Sequence, residues 1–86
     1  MTNSPTLSQI DFDRWLSESW QTDRRYYQAD IMQDLFGTWV LKRSWGGLGN
    51  HRRNSKTHAF TGYEEALQFF GQVAKRRQQR GYAQVI

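Results

Sequence analysis

Apolar and polar residues alternate with a period of two in the first half of the chain, which is the pattern of half-buried strands. Residues 25–33 (RYYQADIMQ) form the first such segment, residues 38–45 (TWVLKRSW) the second, and residues 34–37 (DLFG) a turn between them. The weakly apolar residues 52–60 are interpreted as a third strand, so the pattern predicts a β-meander with two hairpins. The first two strands would share one face made of Tyr27, Ala29, Ile31, Trp39, Leu41, Arg43 and Trp45.

After Thr61 the period changes to that of an α-helix. Thr61 and Glu64 have the spacing of a capping box, which predicts Thr61 as the N-cap. Gly81 stands where such a helix would stop, and residues 82–86 are expected to return as a short final strand. One stripe of the helix would carry Tyr63, Ala66, Leu67, Phe70, Val73, Ala74 and Arg77.

An antiparallel sheet with one apolar face, and one amphipathic helix to cover it, predict a small two-layer α+β domain. The domain is expected to span residues 10–86. Within it, residues 10–20 fit either a strand or a short helix, because both periods match part of their apolar pattern. Residues 1–9 are polar, contain the only proline and show no period, which predicts a disordered tail.

The composition restricts the chemistry. The 86 residues suit one domain, and with 15% aromatic residues a few large rings could close its small core. The absence of cysteine excludes disulfides, thiol catalysis and cysteine-based zinc sites, and it suits a reducing cytosol. The start of the sequence lacks the features of a signal peptide, and no apolar run is long enough for a membrane helix. We therefore expect a cytoplasmic protein with no membrane contact.

Positive charge is concentrated in the middle of the chain. The formal net charge is +4, yet residues 1–34 hold six acids and only three bases. Residues 35–63 hold no acid, and such a segment attracts phosphate unless its charges merely form a solvated surface. Four bases in residues 75–80 suit the end of a helix and are interpreted as its solvated last turns. The five bases of the middle segment are Lys42, Arg43, Arg52, Arg53 and Lys56.

A glycine-rich loop follows the second predicted strand directly after Trp45. Its backbone N–H groups could approach a phosphate, although glycine-rich hairpins also occur without a ligand. The Trp45 ring could stack on a sugar or base, or it could anchor the core or the loop. The loop residues that would contribute are Gly46, Gly47, Gly49 and Asn50.

Residues 35–49 (LFGTWVLKRSWGGLG) resemble the WGR domain, a family named for a Trp-Gly-Arg at the end of a strand. The flanking segments agree with this resemblance, namely residues 24–27 (RRYY), the helix segment 64–70 (EEALQFF) and residues 80–82 (RGY). The resemblance covers residues 24–82. It is greatest to short bacterial proteins in which the domain stands nearly alone.

In DNA-dependent poly(ADP-ribose) polymerases this domain grips DNA near a strand break. Its motif tryptophan packs against the sugar at the broken end, and its motif arginine helps link the domain to its neighbours. The resemblance therefore implies that Trp45 is the stacking residue. Gly47 stands where the family has the arginine, so the linking role has no residue here. Arg52 stands where many members carry a later loop glycine.

These observations predict a non-enzymatic module that binds nucleic acid, DNA rather than RNA, at ends or breaks. Trp45 and the loop would contact the terminus, and Arg52, Arg53 and Lys56 would hold the backbone. We expect no cofactor, no metal and no small-molecule substrate, because the acids and histidines lie in separate segments. The alternative is a protein-interaction adaptor that binds no nucleic acid and exposes an aromatic patch near Trp39 or Phe69.

Overall fold

Five strands form one antiparallel sheet in the computed structural model, which describes residues 10–49 and 51–86. Their spatial order is β4-β3-β2-β1-β5, so the first four strands make a meander and β5 pairs with β1. One helix, α1, connects β4 to β5, which confirms the predicted small α+β architecture. The elements are β1 Leu16–Gln21, β2 Arg25–Gln33, β3 Trp39–Gly47, β4 Asn54–Phe60, α1 Tyr63–Gln79 and β5 Ala83–Val85.

The core lies between α1 and one face of the sheet. The register pairs Ile31 with Leu41, which are 1% and 0% exposed, at the centre of that face. Burying side chains of this size stabilises the fold by roughly 1.5–3 kcal/mol each. The predicted periodicities therefore assigned the apolar positions correctly. The helix closes the core with Ala66, Phe70 and Val73.

The boundaries of several elements differ from the predictions. The predicted glycine loop begins too early, because Gly46 and Gly47 still pair with β2 and belong to β3. The third predicted strand begins at Asn54 rather than at residue 52. Residues 10–20 contain both alternatives, a 3-10 turn at Phe12–Arg14 and then β1. The expected final strand is confirmed as β5, while the predicted tail at residues 1–9 lies outside the described residues.

The predicted start of α1 is wrong, and its predicted end is confirmed. The capping-box prediction is wrong, because Gly62 is the N-cap and its backbone is extended. The Thr61 hydroxyl donates to Glu65 Oε1 at 2.7 Å instead of accepting from the helix backbone. At the other end Gly81 has a φ of 83°, a conformation that favours glycine, and the helix stops there as predicted.

Candidate nucleic-acid interface

The two ends of the sheet carry opposite charge. One end, which we call the loop end, contains the β1–β2 turn (residues 22–24), the β3–β4 loop (residues 48–53) and the C-terminal end of α1. The other end contains the β2–β3 turn and the first turn of α1, with Asp34, Glu64 and Glu65. The arginines of the loop end are Arg24, Arg25, Arg52, Arg53, Arg76, Arg77 and Arg80.

Trp45 lies on the helix-facing side of β3, close to the loop end. Its cross-strand partner is Tyr27, and the two rings stack with centroids 6.0 Å apart and planes 16° apart. The Arg43 guanidinium lies 5.6 Å from the Trp45 ring centroid. Trp45 packs against the core but remains partly exposed. The indole is therefore held in place and still offers some surface to a ligand.

Hydrogen bonds fix the side chain of Arg43 beside this indole. Its Nε donates to His58 Nε2 at 3.1 Å, and its Nη1 donates to the Tyr27 hydroxyl at 3.2 Å. Partial burial lowers the pKa of His58, and the charges of Arg43 and Lys56 lower it further. A neutral imidazole can accept the bond from Arg43, whereas a protonated one cannot. The low pKa and the hydrogen bond therefore favour the same protonation state.

The glycines differ in what their positions require. A Cβ at Gly46 would lie 2.9 Å from Tyr26 Cε1 and 3.0 Å from the Arg52 carbonyl oxygen, so packing alone demands glycine there. Gly49 has a φ of 77° with open space around it. Gly47 ends β3 opposite Arg25, and Asn50 lies outside the described residues. A phosphate-binding role for the loop stays a prediction.

The structure does not gather all the predicted basic residues on one surface. Lys42 and Arg53 line a groove on the sheet face away from α1, where Asp30 pairs in register with Lys42. Arg43 and Lys56 are register partners on the helix-facing side, next to Trp45. Successive residues of a strand point to opposite faces of the sheet, which separates Lys42 from Arg43.

Arg77, which packs against the ring partner of Trp45, was not among the predicted site residues. The guanidinium of Arg77 lies 4.1 Å from the ring centroid of Tyr27 and 5.0 Å from that of Tyr82. Tyr27 therefore contacts Trp45 on one side and Arg77 on another. The sequence did place Arg77 on the apolar stripe of the helix, and a charged residue on a buried stripe was the available signal.

A five-stranded antiparallel sheet and one covering helix define a small α+β domain, with an aromatic–arginine cluster at its loop end. No helix in the described ranges is long and apolar enough to cross a membrane. A profile of the WGR domain matches residues 6–85, and the chain belongs to the WGR domain family. In proteins related to poly(ADP-ribose) polymerases this domain is generally a nucleic-acid-binding module and not a catalytic one.

One curated relative is an uncharacterized protein, y4dW, of Sinorhizobium fredii. It is 34% identical over 58 residues, a match that covers 67% of this chain and 28% of that protein. The chain thus spans little more than a quarter of the relative. No solved structure matches the chain.

Proposed function

We propose that this domain binds DNA at ends or breaks, with Trp45 as the residue that stacks on the exposed terminus. The observation that carries the proposal is the partly exposed indole, held by Tyr27 and Arg43 beside an arginine-rich end of the sheet. Membership of the WGR family supports nucleic-acid binding in general. The loop glycines and the basic side chains would contact the sugar-phosphate backbone.

The geometry suits stacking because the indole does not need to be ordered when DNA binds. Tyr27 supports its ring, and the hydrogen bonds of Arg43 hold a cation beside it. An aromatic ring that stacks on a base contributes about 1–3 kcal/mol. Removing it should therefore weaken binding by roughly 5- to 150-fold, at about 1.4 kcal/mol for each factor of ten.

The test compares two tryptophans at opposite ends of β3. Trp45→Ala should weaken binding to blunt or nicked duplexes more than binding to closed circular DNA, measured by gel shift and fluorescence anisotropy. Trp39→Ala is the matched control, because Trp39 is also half-buried but packs against Tyr63, with ring centroids 4.8 Å apart. Equal losses for the two variants, or an equal loss on all DNA forms, would reject the stacking role.

A salt titration tests the electrostatic part separately. If about four phosphates are neutralised, log affinity should fall against log salt with a slope near −3.6, at about −0.9 per contact in duplex DNA. Lys56→Gln should make the slope shallower by about one contact. An affinity that does not change with salt would rule out backbone binding.

A protein-interaction role is the alternative, and a specific feature favours it. The aromatic residues expected to form an exposed patch, Trp39 and Phe69, are half-buried against the core. Three strongly exposed apolar side chains lie instead at the end opposite the loop end, where Phe12, Leu35 and Phe36 are 60%, 84% and 69% exposed. Pull-down from cell extract with and without nuclease distinguishes the two roles, since only a protein partner survives nuclease treatment.

A further inference from the structure

The loop end contains a cavity that the predicted site residues do not line. It has a volume of about 400 Å³ and lies between the β1–β2 turn and the C-terminal end of α1. Its lining combines one acid with four arginines. Two of these arginines come from the β1–β2 turn and the start of β2, and two from the end of α1. The principal lining residues are Asp23, Arg24, Arg25, Arg77, Arg80 and Tyr82. We refer to it as the arginine pocket.

In the part of the chain that the structure describes, the arginines of this pocket have no anionic partner. None of the four forms an ion pair within residues 10–49 and 51–86. The Nε of Arg77 is buried and lacks a hydrogen-bond acceptor. A buried donor without a partner costs free energy, and several cations around one cavity repel each other. An anion in the pocket relieves the repulsion between these cations.

The pocket is also preorganised. Arg77 stacks on Tyr27 and Tyr82, which orients its planar guanidinium at the wall of the pocket. Thr22 Oγ1 accepts hydrogen bonds from the backbone N–H groups of Arg24 and Arg25, at 3.2 and 2.9 Å. The carbonyl of Arg24 accepts from Leu48 N at 2.7 Å, which ties the turn to the β3–β4 loop.

The helix end does not require these arginines for capping. The backbone N–H groups of Arg80, Gly81 and Tyr82 donate to the carbonyls of residues 76, 78 and 77 at 2.9, 3.1 and 2.9 Å. These carbonyls of the last helical turn are therefore already hydrogen-bonded by the backbone. The guanidinium groups remain available for an external ligand.

We infer that the arginine pocket binds a phosphate group. Phosphate matches the chemistry because its several oxygens accept the paired N–H groups that guanidinium presents, and its charge balances the excess of arginine over Asp23. The inference rests on the proposed function only for the source of the phosphate. The pocket is next to the Trp45 stack through Tyr27, so a DNA strand placed on Trp45 could deliver either a terminal or an internal phosphate.

The experiment uses the exposed arginines, so that folding is not at risk. Arg80→Gln and Arg24→Gln each remove one pocket arginine, and circular dichroism checks that both fold. Arg76→Gln is the matched control, because it removes the same charge one turn from Arg80 but lines a different groove with Arg43 and Phe69. The probes are inorganic phosphate and three DNAs: duplexes with phosphate ends, duplexes with hydroxyl ends, and closed circles.

Inorganic phosphate should shift the NMR signal of the Arg77 Nε–H in the wild type and in Arg76→Gln, and shift it far less in the pocket variants. Losing one charge-assisted contact should weaken binding of the phosphate-bearing ligand about tenfold or more relative to the control. A loss confined to phosphate-ended duplexes supports a terminal source, and a loss on all three DNAs supports an internal one.

If phosphate shifts the Arg77 signal but the protein binds none of the DNAs, the inference about the pocket stands, with a free phosphate compound as its ligand. The same result would reject the proposed function. The inference about the pocket is overturned if phosphate leaves the Arg77 signal unchanged, or if Arg80→Gln and Arg24→Gln behave like Arg76→Gln with every probe.

Discussion

Gly46 provides the sharpest test of the packing at the Trp45 loop. In Gly46→Ala the new Cβ would lie 2.9 Å from Tyr26 Cε1 and 3.0 Å from the Arg52 carbonyl oxygen. Carbon atoms in ordinary contact are about 3.5–4.0 Å apart, so one of these neighbours must move. The Tyr26 hydroxyl is buried, and the Arg52 oxygen belongs to the backbone. Neither can be displaced without disturbing the loop.

The expected cost follows from this geometry. Adding a methyl group to a tightly packed site typically destabilises by about 1–3 kcal/mol. In a domain of this size each kcal/mol lowers the melting temperature by about 4–8 °C, so the expected drop is roughly 5–20 °C. Thermal and urea unfolding followed by circular dichroism measure it directly.

Gly71→Ala is the matched control, because Gly71 lies in α1 and its added Cβ would meet nothing within 4 Å beyond its chain neighbours and the backbone of its own helix. It should stabilise the domain by about 0.5–1 kcal/mol, since alanine is the better helix former. Tyr26→Ala in the same background should reduce the cost of Gly46→Ala, which a double-mutant cycle measures. If Gly46→Ala unfolds like the wild type, the clash argument is wrong, and a binding role for this glycine becomes the stronger explanation.

Three further changes probe the rest of the fold. Leu41→Ala should cost about 2–5 kcal/mol in urea unfolding because Leu41 is fully buried, whereas Leu35→Ala should change little at 84% exposure; equal effects would contradict the assigned core. Asp34→Ala should cost about 1 kcal/mol, since its Oδ1 accepts from two backbone N–H groups of the β2–β3 turn, and Asp34→Asn should retain most of that stability. The pKa of His58 is lower in the folded protein than the ordinary value of 6.5. The stability linked to the neutral imidazole should therefore be fully present above about pH 6.5 and be lost as the pH falls through the lowered pKa of the folded state. Melting temperatures of the wild type should therefore fall more steeply toward acid pH than those of His58→Gln, and parallel curves would contradict this.

Local pattern was enough to predict β2, β3 and α1 and the core positions on them, whereas it left β1 and its buried Trp20 undecided. The faces of β2 and β3 follow from strict alternation, and the stripe of α1 follows from helical spacing, because each position needs only its chemical type and its period. The position of Gly81 at the helix end has the same local cause. The N-cap was mispredicted because Thr61 has the required side chain, but its hydroxyl donates to Glu65 instead.

The site depends on features that are not local in sequence. Lys42 and Arg43 point to opposite faces because they are neighbours in one strand, and only the register of β2, β3 and β4 shows which partners each meets. The arginine pocket joins the β1–β2 turn to the helix end, segments brought together by the pairing of β1 with β2 and β5. No periodicity within either segment could indicate their contact.

The glycine at position 47, where the family has its motif arginine, need not deprive this end of the sheet of positive charge. Gly47 pairs in register with Arg25, so a guanidinium starts from the adjacent strand at the same level. Arg24 lies in the β1–β2 turn just before Arg25, and Arg77 lines the same pocket from the helix, stacked on Tyr27. Arginines on neighbouring elements attract a phosphate as effectively as an arginine in the motif would. The reason is that long-range attraction depends on the summed field of all charges and not on one position. What a glycine cannot supply is a side chain that reaches from the loop to a neighbouring domain, and that is the role the motif arginine has in the larger proteins.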